Sequence, residues 1–183
     1  HFAGYAGTEG GRNRSPYPYG HRYLLDHEIV PFRHVIHSAR PAAVMAAFNE
    51  VEGLPCHINP WVLTDVLRDR IGFKGLVVGD YQGIDLVRQY QKIGSSNGDA
   101  ARMALEAGLQ LELPNNFGYQ HLPQLLREGK VSSSKIDEAV RAVLSLKFNL
   151  GLFEAPFELD QKKALSHSRS EKAVQLSLSL IHI

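Results

Sequence analysis

Cysteine is nearly absent. Cys56 is the single one in 183 residues, which excludes an internal disulfide framework and leaves the fold to rest on an apolar core. An excess of either charge is missing too. Twenty Lys and Arg stand against 19 Asp and Glu, for a net charge of +1, and no block of like charge stands out. Nothing therefore points to nucleic acid or to an acidic membrane surface as partner. No apolar run reaches the roughly 18 residues that a membrane span needs. No G-x-G-x-x-G follows a strand-like run, which lowers a dinucleotide reading, and no G-x-x-x-x-G-K-[ST] occurs, which excludes that type of phosphate-cradling loop. An initiator Met and a basic-then-apolar leader are also lacking. The chain opens on HFAGYAGTEGG and closes on LSLSLIHI, an apolar run that is an aggregation hazard unless paired or covered. Both ends are expected to be cuts inside a longer protein.

What is present suits one ordinary core, with 44% hydrophobic residues. Residues 1–20, rich in Gly, Arg, Asn and Pro, read as a long loop leaving a strand end. Apolar spacing over 21–38 predicts a helix that Pro31 kinks or divides. AAVMAAF, 42–48, reads as a buried strand. A loop through Gly53 and Pro55 follows, then a helix from NPWVLTDVLRDR with Asn59 as N-cap and Gly72 as its end. GLVVGD, 75–80, is a second buried strand, 99–107 a helix, and LQLEL, 109–113, a third strand stopped by Pro114. Helices are predicted over 118–128 and 133–149, the latter capped by Ser133 or Ser134 and striped by Ile136, Val140, Val143, Leu144 and Phe148. Short apolar strands alternating with helices predict parallel βα units. Both a barrel and a doubly wound sheet fit.

In parallel α/β folds, chemistry gathers at the carboxyl ends of strands. Asp80 closes GLVVGD and is the sharpest candidate, either an inward-facing acid at a barrel mouth or an ordinary acid capping the next turn. Position alone leaves both open. Glu50 reads as a loop acid or brace. Glu112 lies inside a strand, with a basic partner in the core, a helix or a substrate as its alternatives. Arg12 and Arg14 brace the first loop by pairing with carboxylates or hold a substrate. His27, His34 and His37 sit on one helix without a carboxylate spaced to complete a metal site, so a solvated face is expected and no metal is assigned. Cys56 beside His57 sketches a thiol and a base, but neighbours in extended chain point apart. His1 opens the aromatic-glycine loop, and Met45 lies inside an apolar strand, core by default.

Several blocks in order resemble the first domain of glycoside hydrolase family 3, in its β-glucosidase/β-xylosidase branch. HFAGY and EGGRNR resemble the Lys-His-Phe segment and the loop after it. VMAAFNEVEGLPCH is similar to the family's V-M-x-x-[YF]-N-x-x-x-G-x-P strand and loop. WVLTDVLRDRIGFKGLVVGDY is similar to its L-L-T-D-x-L-R-x-x-x-G-F-x-G-x-V-V-S-D-[WY] block. ALEAGLQLELP and VRAVLSLKFNLGLFE match as well.

The resemblance implies an α/β fold, the C-terminal part of a truncated (β/α)₈ TIM-type barrel over residues 1–160, with 161–183 as the linker and start of a second domain. It implies a retaining exo-acting β-glycosidase, a β-glucosidase first and a β-xylosidase next. The nucleophile falls on Asp80, residues that hold the sugar on His1, Met45 and Phe48, and an aromatic wall on Tyr81. Substrates would be oligosaccharides or aryl β-glycosides, with no cofactor, and a secreted or periplasmic setting is favoured. The family's acid/base Glu is carried by the second domain, and its sugar-binding Asp, Arg and Lys lie upstream of residue 1. Three departures stand out: Gly79 where Ser is usual, Phe48 where many members carry Tyr, and a tail that continues differently after HSRSEKAVQL. The alternatives are a non-catalytic carbohydrate-binding module, which tolerates loss of the Asp80 charge, and a different barrel enzyme, which needs a strand-end Lys or a Gly-rich phosphate loop. PNNFGYQ, with one Gly, is a weak version of the latter.

Overall fold

Two aliphatic runs, Ala43–Met45 (β1) and Leu76–Val78 (β4), make the central pair of strands. A computed structural model describes residues 1–154 and 160–179. β1 and β4 pair in parallel with Ala43 opposite Leu76, Val44 opposite Val77 and Met45 opposite Val78. Single parallel bridges extend the pair on both sides, Phe2 to Ala46 and Val78 to Leu111. The spatial order of these four stretches is therefore the order of the chain. A doubly wound sheet reverses direction at a switch point, and no reversal occurs here. The winding is that of a barrel wall, although no sheet closes into a barrel among the described residues. The expected strand over 109–113 is reduced to its bridge at Leu111. Between β1 and β4, a small hairpin of Glu50–Val51 (β2) and Leu54–Pro55 (β3) turns through Gly53, whose φ of 76° favours glycine.

Helices cover the wall. The first helical run begins as His21–Tyr23 (α1), passes through a π turn at Leu24–Glu28, and continues as Ile29–Ala39 (α2). Pro31 neither stops nor divides it. The wide turn just upstream, where the Ile29 N–H reaches the Leu24 carbonyl, takes up the missing N–H and the ring. Trp61–Arg70 is also wound with long-period bonds, and Asn59 Oδ1 caps it by accepting from the Val62 N–H at 3.2 Å. Gly83–Gln89 (α3) was not expected from the sequence pattern. Asn97–Ala107 (α4) ends at Gly108 with φ 102°. Leu122–Arg127 (α5) and Ser133–Asn149 (α6) follow. The cap of α6 is Ser132, not Ser133 or Ser134: its Oγ accepts from the Lys135 N–H at 3.4 Å.

The core gathers Phe2, Leu24, Val51, Leu63, Leu67, Val77, Ile84 and Leu109 between sheet and helices. A smaller cluster of Leu105, Leu122, Leu125, Val131 and Ala139 seats α4, α5 and α6. The apolar stripe predicted on α6 is only partly used. Ala139 is buried, whereas Val140 and Leu144 are 50% and 44% exposed. The chain divides into two compact units, His1–Leu146 and Lys147–Ile183. The second holds Gln161–Ser168 (α7), capped by Asp160, and Glu171–Ser179 (α8). Of the closing run LSLSLIHI, residues 176–179 belong to α8, and 180–183 lie outside the described residues.

At the amino end of the strands, Arg68 fastens the wall. Its guanidinium donates to the Phe73 carbonyl at 3.0 Å, the Gly75 carbonyl at 2.6 Å and Gln110 Oε1 at 2.9 Å, and Gln110 Oε1 also accepts from the Val77 N–H at 3.0 Å. Replacing Arg68 by Met removes the guanidinium that lies over Phe73 and leaves the Phe73 and Gly75 carbonyls without its N–H groups, while Gln110 Oε1 keeps only the Val77 N–H. Urea unfolding is expected to show a loss of about 3 kcal/mol, with Arg68→Lys recovering only part, because an ammonium lacks the planar fork. A loss under about 1 kcal/mol would mean that these acceptors are satisfied without the guanidinium.

Candidate active site

Parallel pairing puts the carboxyl ends of neighbouring strands at one level, and directly paired residues share a face. Met45 and Val78 are paired, and His1 precedes Phe2, which bridges to Ala46. Two residues past Val78, the alternation returns to the same face at Asp80. The carboxylate of Asp80 meets His1 there, Oδ2 to Nε2 at 2.9 Å. The side chains are 16% and 38% exposed respectively, so the pair sits at a mouth open on the histidine's side. Asp80 Oδ1 accepts from the Tyr81 N–H at 2.7 Å. The His1 ring also lies 4.8 Å from that of Tyr5, centroid to centroid.

Beneath Asp80 lies a histidine that the sequence offered only as a base beside Cys56. His57 is buried, and its Nε2 accepts the Asp80 main-chain N–H at 3.0 Å. An acceptor nitrogen is an unprotonated one, so the proton of the neutral ring is on Nδ1. Burial pushes the imidazole down to about 4, against the upward pull of the Asp80 carboxylate. Two glycines make room for the ring. A Cβ on Gly83 would stand 1.9 Å from His57 Nε2, whereas one on Gly79 would meet His57 and Leu109 at 3.5 Å, an ordinary contact. The site thus has space for a β-carbon at position 79, and Gly83 is obligatory. A strand-end acid between two glycines was the available signal for a buried neighbour, but it did not say which one.

The other expected residues fall as follows. Phe48 is half-buried and stacks on His57 with centroids 5.7 Å apart. Met45 is half-buried in β1. Tyr81 touches Asp80 through its main chain, and its residue is 60% exposed. Among the described residues Arg14 braces no carboxylate: its guanidinium lies over the rings of Phe48, at 5.6 Å, and Tyr90, at 5.4 Å. Gln91 fixes the strand end by donating to the Phe48 carbonyl at 2.9 Å.

The rival sites dissolve. Glu112 points inward, but its partners are main-chain donors and not a basic side chain. It accepts from the Gly118 N–H at 2.9 Å and the Tyr119 N–H at 2.7 Å, and burial raises its pKa against those bonds. It braces the loop after Leu111. Glu50 lies in the hairpin strand β2, partly buried, and burial raises its carboxyl. Cys56 is fully buried, donates to the Ala3 carbonyl at 3.5 Å, and is pushed up to about 12 by burial. It is no nucleophile, and His57 beside it in sequence serves Asp80 instead. His37 donates to the Ile71 carbonyl at 2.9 Å and His27 stacks on Tyr23, which separates their roles. Among the described residues no group of three or more His, Cys, Asp or Glu is placed to hold a metal ion.

Residues 1–146 match the family model described as "Glycosyl hydrolase family 3 N terminal domain". A putative β-xylosidase of Formosa agariphila is 35% identical over 177 residues, which is 97% of this chain and 23% of that protein. A periplasmic β-glucosidase of Salmonella typhimurium is 34% identical over 157 residues, 86% of this chain and 20% of that one. Among solved structures, a β-glucosidase from Erythrobacter marinus superposes with a TM-score of 0.87 at 37% identity, covering 96% of this chain and 23% of its own. The chain spans about a quarter or less of the length of these relatives.

Two measurements follow from the buried groups. The unfolded chain takes up a proton on His57 near 6.5 and the folded chain only near 4. Between those values the unfolded state binds more protons, so unfolding free energy falls as the pH falls, by about 3 kcal/mol across the window. Glu112, raised on folding, acts in the opposite sense. The contribution is therefore read as the difference, between the unaltered protein and His57→Gln, in the slope of unfolding free energy against pH, taken from urea unfolding at each pH, and the variant is expected to lose most of it. An unchanged slope would mean that His57 is not buried as a neutral ring. At pH 8, a disulfide-exchange thiol reagent is expected to leave Cys56 unmodified until denaturant is added.

Proposed function

The chain belongs to glycosyl hydrolase family 3, and from that premise we propose that it forms part of a retaining, exo-acting β-glycosidase in which Asp80 is the nucleophile. The observation that carries this reading is the Asp80 carboxylate at the carboxyl end of β4, mostly screened from solvent and held by His1 at 2.9 Å. Retention requires one ionised carboxylate to attack the anomeric carbon and form a glycosyl ester. A second, protonated carboxyl about 5–5.5 Å away releases the leaving group and then activates water. Asp80 takes the first role. The second belongs to a Glu of a further domain in the longer protein.

His1 is positioned to hydrogen-bond sugar hydroxyls, contacts that lower the barrier as far as they tighten while the ring flattens toward the oxocarbenium-like state. Met45, Phe48 and Tyr81 supply apolar and aromatic surface to the ring face. In this reading residues 1–160 are the C-terminal part of the catalytic barrel, and 161–183 lead into the next domain. The substrate is a terminal β-linked sugar of an oligosaccharide or aryl β-glycoside, glucose before xylose. The relatives' names, β-glucosidase and β-xylosidase, support the class. A periplasmic or secreted setting is supported by the Salmonella relative's name. Among the described residues, no helix is long and apolar enough to cross a membrane.

Incubating the full-length protein with a 2-fluoro-β-glycoside is expected to trap the ester and label the peptide containing Asp80. Asp80→Asn is expected to lower kcat on an aryl β-glucoside on the order of 10³-fold or more. Label on another residue, or full activity in Asp80→Asn, would refute the assignment. The 183-residue chain alone is expected to hydrolyse neither aryl β-glucoside nor aryl β-xyloside.

A further inference from the structure

His57 has no part in the bond-making steps above, yet its position is the most constrained in the site. Past Val78 the strand ladder runs out of partners. The Gly79 N–H turns to the Leu111 carbonyl at 2.8 Å, and the Asp80 N–H, which strand alternation turns to the opposite side, meets no main-chain carbonyl among the described residues. His57 Nε2 supplies the acceptor at 3.0 Å from 23 residues upstream. On the other side of the residue, the Asp80 carbonyl accepts from the Gly83 N–H at 2.9 Å. Both main-chain groups of Asp80 are thus fixed, and only its short side chain is left to place the carboxylate.

The acceptor is a buried ring in a fitted slot and not a water or a mobile side chain. Gly83 has no room for a Cβ beside Nε2, and Phe48 stacks on the ring. One imidazole therefore sets the backbone of Asp80 and one wall of the site together. Near-attack geometry is steep in position, and a shift of about 1 Å costs about 100-fold in rate.

We propose that His57 is a positioning residue: by accepting the Asp80 N–H on Nε2, it fixes the direction from which the Asp80 carboxylate reaches the anomeric carbon. The inference rests on Asp80 being the nucleophile. It predicts a defect in the chemical step that exceeds any in binding, because the buried ring meets the sugar site only through Asp80 and Phe48.

The test uses the full-length protein and the rate of its inactivation by a saturating 2-fluoro-β-glycoside, which isolates formation of the ester. His57→Leu fills the slot without an acceptor and is expected to slow inactivation about 100-fold, with the half-saturating concentration unchanged within about threefold. His57→Gln places an amide oxygen near the Nε2 position and is expected to recover at least about tenfold of that loss. Inactivation of His57→Leu at the original rate would overturn the proposal, and so would equal losses in both variants accompanied by weaker binding. ¹⁵N-histidine labelling of the unaltered protein gives a readout that does not depend on either variant folding. Nε2 of His57 is expected to be unprotonated with the proton on Nδ1, and the opposite tautomer overturns the proposal. Label on Asp80 with an unimpaired His57→Leu variant defeats the positioning role alone. Label elsewhere defeats the nucleophile assignment and this inference with it.

Discussion

Parallel strands carry their carboxyl ends to the same edge, and the register of β1 on β4 decides what meets there. With Met45 opposite Val78, and Phe2 bridged to Ala46, His1 and Asp80 arrive on one face, within a hydrogen bond of each other across the width of β1. A slip of one residue would turn Asp80 to the other face and break the pair with His1. The helices, the glycine slot and the aromatic wall around Phe48 all depend on that alignment, since each packs on atoms the register has already placed.

Polar groups trapped at the two ends of this short wall are settled in different ways. At the amino edge, one guanidinium answers two carbonyls and a side-chain amide, and Phe73 lies under its plane. At the carboxyl edge, the ladder stops at Gly79, and single buried acceptors take over. His57 receives the Asp80 N–H, and Glu112 receives the N–H groups of Gly118 and Tyr119. Both are titratable side chains used for main-chain satisfaction, which burial favours in their neutral forms. A catalytic edge built this way is rigid where backbone must not move and open only where His1 faces solvent.

Period and punctuation were enough to find most elements. The Asn59 cap, the Gly72 and Gly108 stops and the two aliphatic strands were all legible, because caps and apolar runs act over a few residues. α3 was not, since Gly83 at its start and its small apolar face resemble a loop. The π turn before Pro31 was not legible either, because it depends on how the helix packs and not on propensity. The sites of Glu112, Cys56 and Arg14 were open in the sequence. Their partners are main-chain N–H groups, a carbonyl and two aromatic faces, contributed by residues 6 to 76 positions away.

The sequence by itself determined the alternation of strands and helices, the family blocks and the place of Asp80 at a strand end, since each is written in local spacing. Only the tertiary structure decided that Asp80 faces His1 and stands on His57. Strand register and a slot lined by Gly79 and Gly83 join residues 1, 57 and 80, and no local pattern records which residues a fold brings into contact.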